Sequence, residues 1–329
     1  MSESVAVLGA GNMGTALAQV IATNGHNVRL WSIEHDVLEE VRDKRLNSRY
    51  LEDIRLDDRV EAVWEMGAAV KGARLIIVSV PSQVVRAVAA DLAQAVEPGQ
   101  LVLNVAKGLE SGSHRRMSEV ISAELPDGCG AFVGSMGGPA IANEMARGQP
   151  MAIIIGLPSE DDCASLQAIL QNNHLKVQTT ADVTGLELCA TLKNVYAIAL
   201  GIADGLSLGT NTKAFLATVG LEEMCGIATR LGGQRDTVFV LAGLGDLLTT
   251  GFSTHSRNRT LGEHLGKATD WQQFLRTNTV EGVTACRSIT ELVGDTDRLP
   301  LLALLHEILF AEAPAPASMR RFLETFSYA

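Results

Sequence analysis

Short apolar runs alternate with helically spaced segments through the first half of the chain. The runs at 5–8, 27–31, 75–80, 101–105, 131–133, 151–155 and 176–179 have the length of strands. Between them, apolar residues recur every three or four positions. Met13, Ala16, Leu17, Val20 and Ile21 form one such set, Val84, Val85, Val88 and Leu92 a second, and Met117, Val120, Ile121 and Leu125 a third. Strands that are apolar throughout and separated by helices predict a parallel sheet covered on both faces. Residues 1–181 therefore read as an α/β Rossmann-like, doubly wound domain. Beyond them the strand-like runs stop. Helical patterns follow at 184–204, 213–231, 237–241, 261–265, 271–277 and 301–311, punctuated by Gly232-Gly233 and Pro300. An all-α domain is expected over 182–329, with Ala313-Pro314-Ala315-Pro316-Ala317 as a short surface connection.

Composition narrows the function classes. A chain of 329 residues accommodates two ordinary domains, and 47% hydrophobic residues supply a sizeable core. The net charge of −11 gives no basic field for nucleic acid or an anionic membrane, so an anionic substrate needs local cations. The longest apolar stretch, 186–208, carries Glu187, Lys193, Asn194 and Asp204, which predicts a buried core helix and no integral membrane contact. Five scattered cysteines, Cys129, Cys163, Cys189, Cys225 and Cys286, suit free thiols and a cytoplasmic setting; no metal site is expected. The run at 5–8 leads straight into a glycine loop and is too short for the apolar core of a secretory signal.

That loop is Gly9-Ala10-Gly11-Asn12-Met13-Gly14, placed after a strand and before a helix. The first glycine permits the tight turn, the second lets backbone approach a pyrophosphate, and the third allows close helix–strand packing. The helix N-terminus presents free N–H groups to the phosphates of NAD or NADP. An acid ending the second strand would grip the adenine ribose, but Trp31-Ser32-Ile33-Glu34 puts a serine there, with Glu34 two residues on and Arg29 directed elsewhere. The choice between NAD and NADP stays open, and discrimination below about a hundredfold is expected.

In the second half, Lys193 sits among Leu188, Cys189, Ala190, Leu192, Val195, Ala197 and Ile198. An ammonium there is paired, bears a desolvation cost that favours its neutral form, or snorkels from the helix edge. Asp246, in the turn Gly243-Leu244-Gly245-Asp246-Leu247, taken singly reads first as a helix cap and second as a site carboxylate. Ser256-Arg257-Asn258 reads as a phosphate grip or a solvated loop.

Motifs along nearly the whole chain resemble those of the soluble NAD(P)-dependent glycerol-3-phosphate dehydrogenases. In order they are the glycine loop, Val80-Pro81-Ser82-Gln83, Ala106-Lys107-Gly108-Leu109, Gly138-Pro139-Ala140-Ile141-Ala142-x-Glu144 and Leu192-Lys193-Asn194-Val195-Tyr196. Asn211-Thr212-Lys213-Ala214, Gly243-Leu244-Gly245-Asp246-Leu247, Ser256-Arg257-Asn258 and Val280-Glu281-Gly282 complete the series. The chain departs from the family at Ala140-Ile141, at Ala217-Thr218-Val219-Gly220, where an arginine is usual, and at Thr249-Thr250-Gly251, where Thr250 keeps a hydroxyl in place of a common cysteine.

The resemblance implies a Rossmann-like domain followed by a helical one, and interconversion of sn-glycerol 3-phosphate with dihydroxyacetone phosphate, supplying phospholipid synthesis. It implies Lys193 as general acid/base, with Lys107, Asn194 and Asp246 beside it in catalysis. It implies cofactor contacts at Gly9, Gly11, Asn12, Met13, Gly14, Trp31, Lys107, Ala142, Arg257 and Glu281. Substrate contacts are implied at Lys107, Gly138, Lys193, Asp246, Thr250, Ser256, Arg257 and Asn258. A homodimer is the implied assembly and a small phosphorylated molecule the implied partner. A related reductase of another phosphorylated or carboxylated ketone, and a non-catalytic dinucleotide-binding regulator, are the alternatives.

Overall fold

The computed structural model describes residues 2–127 and 132–328, so Cys129 and Ala131, the latter expected to open a strand, lie outside the described residues. The chain divides into two compact units, Met1–Glu110 with Arg115–Val183, and Ser111–His114 with Thr184–Ala329.

The first unit is built on an eight-stranded sheet. Its strands are β1 (Ser4–Leu8), β2 (Asn27–Trp31), β3 (Val60–Val63), β4 (Leu75–Val78), β5 (Leu101–Asn104), β6 (Phe132–Gly137), β7 (Met151–Gly156) and β8 (Leu175–Thr180). They lie in the order β3-β2-β1-β4-β5-β6-β7-β8. The order reverses between β1 and β4, the switch point at which doubly wound sheets bind ligands beyond the carboxyl ends of their strands. Strand alternation divides the core into two layers. Val5, Val7, Leu75, Ile77, Leu101 and Leu103 join the cluster on one face, and Ala6, Leu8, Ile76, Val78 and Val102 the cluster on the other.

Two features correct the expected sheet. Strand β3 was not anticipated, because Val60-Glu61-Ala62-Val63 is a four-residue edge strand with one fully buried side chain and no continuous apolar run. The sheet is also not wholly parallel, since β7 runs antiparallel to β6. The helix between them, Ala142–Ala146, has five residues and spans roughly 7 Å, too little to return the chain along β6 for a parallel partner.

The second unit is helical among its described residues. Its centre is the helix Val183–Gly205, buried from Gly185 to Ala203. By length and composition this helix could cross a membrane, yet its apolar window is wholly buried within the protein, as expected for a core helix. It crosses the helix Arg257–Gly266 backbone to backbone. A Cβ on Gly201 would lie 2.0 Å from the Arg259 carbonyl oxygen, and one on Gly262 would lie 2.1 Å from that of Ile198. Gly205 and Gly266 repeat the contact one turn on. Helices at Glu281–Val293 and Ala315–Thr325 were not anticipated, and the second begins inside the segment read as a surface connection. Pro314 and Pro316 flank that start, where the first turn tolerates a missing N–H.

Candidate active site

The motifs of the first unit gather at the carboxyl ends of β1, β4, β5 and β6. Gly9 has φ +116°, and a Cβ there would lie 2.2 Å from the Ser79 carbonyl oxygen. A Cβ on Gly14 would lie 1.9 Å from the Gly9 carbonyl oxygen. Both glycines are therefore required by the protein's own packing. Gly11 differs, because a Cβ there meets nothing within 4 Å. The helix Asn12–Thr23 that follows has no acid in its first turn and no side chain capping its N-terminus. Open space, free N–H groups and no negative charge suit a dinucleotide pyrophosphate.

The segment after the helix His35–Lys44 completes this loop. Asn47 Nδ2 donates to the Ala10 carbonyl oxygen and to Thr15 Oγ1, each at 2.8 Å, and Asn12 Nδ2 donates to the Tyr50 carbonyl oxygen at 2.6 Å. Sequence reasoning missed Asn47, since a single buried asparagine carries no spacing signal. Met13 is half-buried against the core. Trp31 packs its indole into the other face of the core and donates Nε1–H to the Trp64 carbonyl oxygen, while its own carbonyl accepts from Gly9 N at 2.8 Å. Arg29 bonds the Ala68 carbonyl oxygen and Ser4 Oγ, away from the loop.

Lys107 follows β5. Asn104 shapes the turn by accepting from Ala106 N and donating to the Ala106 carbonyl oxygen. Lys107 Nζ lies 3.5 Å from the carbonyl oxygen of Gly138, a residue with φ +90° just after β6. Ala142 opens the helix Ala142–Ala146 and packs against the core.

The second unit holds a polar cluster inside its apolar centre. Lys193 Nζ donates to Asp246 Oδ1 and to Thr250 Oγ1, each at 2.7 Å, and the lysine and aspartate are both buried. A five-residue π-helical turn, Leu241–Gly245, aims Asp246 inward. The motif expected as a turn is thus wound helix running directly into the helix Asp246–Phe252. Gly243 makes the winding possible, since a Cβ there would lie 2.2 Å from the Val238 carbonyl oxygen. Local departures of this kind are frequent at functional sites.

At the next position in the chain, Asn194 Oδ1 accepts from Asn258 Nδ2 at 2.9 Å, and Asn194 Nδ2 lies 3.2 Å from Glu281 Oε2. Asn258 Oδ1 accepts from Gly282 N at 2.8 Å. Gly282 has no room for a side chain, with the Asn194 carbonyl oxygen 2.5 Å from where its Cβ would be. Three helices meet in this chain of amides, which explains the glycine of Val280-Glu281-Gly282. Ser256 caps its helix by accepting from Arg259 N, and Arg257 stands exposed at the first helical position. The segment is an ordered helix start, not a loop. Arg259, unremarked in the sequence, pairs with Asp204 at 2.6 Å together with Lys213 of Asn211-Thr212-Lys213.

Two family models cover these halves in turn. The N-terminus of NAD-dependent glycerol-3-phosphate dehydrogenase matches residues 4–163, and its C-terminus matches 182–320. This chain belongs to the NAD-dependent glycerol-3-phosphate dehydrogenase family. A glycerol-3-phosphate dehydrogenase [NAD(P)+] of Chlorobium luteolum is 36% identical over 313 residues, covering 94% of each chain. One from Staphylococcus epidermidis is 33% identical, with 98% of each chain covered. The crystal structure of the Coxiella burnetii glycerol-3-phosphate dehydrogenase superposes with a TM-score of 0.90 at 33% identity, covering 98% of this chain and 99% of the other. The eight-stranded sheet followed by a helical unit is thus a fold this chain shares with that relative.

Proposed function

We propose that this chain interconverts sn-glycerol 3-phosphate and dihydroxyacetone phosphate with NAD(H) or NADP(H). The observation that carries the reading is a buried lysine held by Asp246 and Thr250 in a chain whose two halves both match this family. The dinucleotide held at the glycine loop would supply or accept the hydride at C2 of the three-carbon substrate. In the reducing direction negative charge grows on the C2 oxygen, and Lys193 stabilises it and delivers a proton. In the oxidising direction neutral Lys193 takes the hydroxyl proton. Asp246 and Thr250 fix the nitrogen, and Asn194, tied to Asn258 and Glu281, is the further polar residue assigned to the catalytic set.

Arg257 and Lys107 are the cations assigned to the substrate, with Arg257 gripping the phosphate and touching the cofactor beside Ser256 and Asn258. Gly138 and Thr250 line the substrate. Gly9, Gly11, Asn12, Met13, Gly14, Trp31, Lys107, Ala142 and Glu281 are assigned to the dinucleotide. The activity would supply glycerol phosphate to phospholipid synthesis, from a cytoplasmic homodimer.

The test is a spectrophotometric assay of purified protein with both reduced cofactors and a panel of small ketones, with and without phosphate. Dihydroxyacetone phosphate should be the fastest substrate. Lys193→Met, which removes the acid at similar volume, should lower kcat by roughly two to four decades while leaving cofactor affinity intact. Turnover within about threefold of wild type would remove Lys193 from the chemistry.

A further inference from the structure

We infer that Glu34, held in place by Arg49 and Tyr50, selects NAD(H) over NADP(H). The inference rests on the dehydrogenase reading only in taking the glycine loop as a dinucleotide site. In such sheets the adenine ribose is handled beyond the carboxyl end of β2, by an acid about twenty residues after the glycine loop when the 2′-hydroxyl is read, or by an arginine when a 2′-phosphate is read. The sequence leaves this position ambiguous because Ser32 occupies the expected place. In the structure Ser32 is buried, and its Oγ accepts from Glu34 N at 3.1 Å. The serine makes the turn, and Glu34 is the acid that the turn presents.

Glu34 does not hang free. Both carboxylate oxygens accept from the Tyr50 hydroxyl, at 3.0 and 2.9 Å, and Oε1 accepts from Arg49 Nη1 at 2.8 Å. The segment carrying Arg49 and Tyr50 is the one pinned to the glycine loop through Asn47 and through the bond from Asn12 to the Tyr50 carbonyl oxygen. A single local framework therefore joins the loop that suits the pyrophosphate to the carboxylate beyond β2.

Charge decides which cofactor this framework suits. Arg49 also bonds Asp36, and that hydrogen bond and its charge hold the Asp36 carboxyl below its usual range. The cluster thus holds two carboxylates and one guanidinium, a net charge of −1. Among the described residues Arg49 is the cation bonded to either acid. A ribose 2′-hydroxyl can donate to Glu34. A 2′-phosphate would bring further negative charge to an acidic cluster whose one guanidinium is already shared, and such like-charge contact discriminates strongly.

The test measures binding alone. NADH, NADPH, 5′-AMP and adenosine 2′,5′-bisphosphate are titrated by calorimetry into the full-length protein without substrate, so a failure of the assigned reaction would leave the result readable. Wild type should bind NADH at least about thirtyfold more tightly than NADPH. E34Q keeps the shape and brings the cluster from −1 to neutral, with Arg49 facing Asp36 alone, so NADPH affinity should rise about tenfold or more and the gap should close. In E34Q/R49M that gain should vanish, because the guanidinium supplying it is gone. Thermal midpoints for each variant separate lost binding from lost fold, and R49M alone, which leaves two uncompensated acids, should widen the gap. Equal affinities for NADH and NADPH in the wild type would overturn the assignment, as would an unchanged ratio in folded E34Q.

Discussion

Lys193 Nζ and Asp246 Oδ1 lie 2.7 Å apart with both side chains withdrawn from solvent. Removing one partner of such a pair is worse than removing both, because a lone buried charge is left behind. Asp246→Asn should therefore destabilise the protein by about 3–5 kcal/mol and abolish most turnover. Asp246→Asn combined with Lys193→Met should recover much of the stability and none of the activity. Urea unfolding of Asp246→Asn, Lys193→Met and the double variant checks this; a double variant less stable than Asp246→Asn alone would show that the pair is not coupled in this way.

Gly11 and Gly14 should fail in different ways. Gly11→Val places methyls in open space, so the protein should fold normally while NAD(H) affinity collapses. Gly14→Ala drives a methyl against the Gly9 carbonyl oxygen, so stability should fall first. Parallel thermal melts and cofactor titrations distinguish them, and unchanged affinity in folded Gly11→Val would refute the pyrophosphate placement.

Arg257 should matter most for phosphorylated substrate. Arg257→Leu is expected to cost about 2–5 kcal/mol in kcat/KM toward dihydroxyacetone phosphate and much less toward dihydroxyacetone. Free phosphite should partly rescue the wild-type rate on the unphosphorylated ketone and do little for the variant. Equal losses on both substrates would remove Arg257 from the phosphate and leave it a cofactor or structural role alone.

Glu223 should make stability depend on pH. Burial pushes its carboxyl up to about 7, against the opposing bonds it accepts from Leu301 N, Tyr196 Oη and Leu302 N. The native state then binds a proton more tightly than the unfolded chain, so this contribution to stability falls as pH rises from about 4.5 to 7. The loss is on the order of 3 kcal/mol, and Glu223→Gln should flatten that part of the profile. Denaturation at pH 5 and pH 8 measures it, and identical slopes in both proteins would exclude Glu223 as the source.

The alternating half of the chain was legible because buried parallel strands are continuous apolar runs, and Val5-Ala6-Val7-Leu8 followed by the glycine loop has few other solutions. Val60-Glu61-Ala62-Val63 escaped notice because an edge strand needs no such run. The polar cluster was legible only in pieces. Lys193 stood out against its apolar neighbours, but its pairing with Asp246 and Thr250 spans more than fifty positions and leaves no local pattern. Asn258 looked like part of a solvated loop because hydrophobic spacing cannot register an amide buried among other amides. Family motifs, not periodicity, marked those positions.

The touching backbones at Gly201, Gly205, Gly262 and Gly266 govern how the protein can be altered. Side-chain interfaces can be repacked by exchanging volumes, but here peptide meets peptide and there is no volume to exchange. In a library randomised across both helices and selected for activity, these four codons should return as glycine while exposed Arg257 and its solvent-facing neighbours vary with the substrate supplied. An engineer seeking a new ketone would hold the crossing constant and work outward from it.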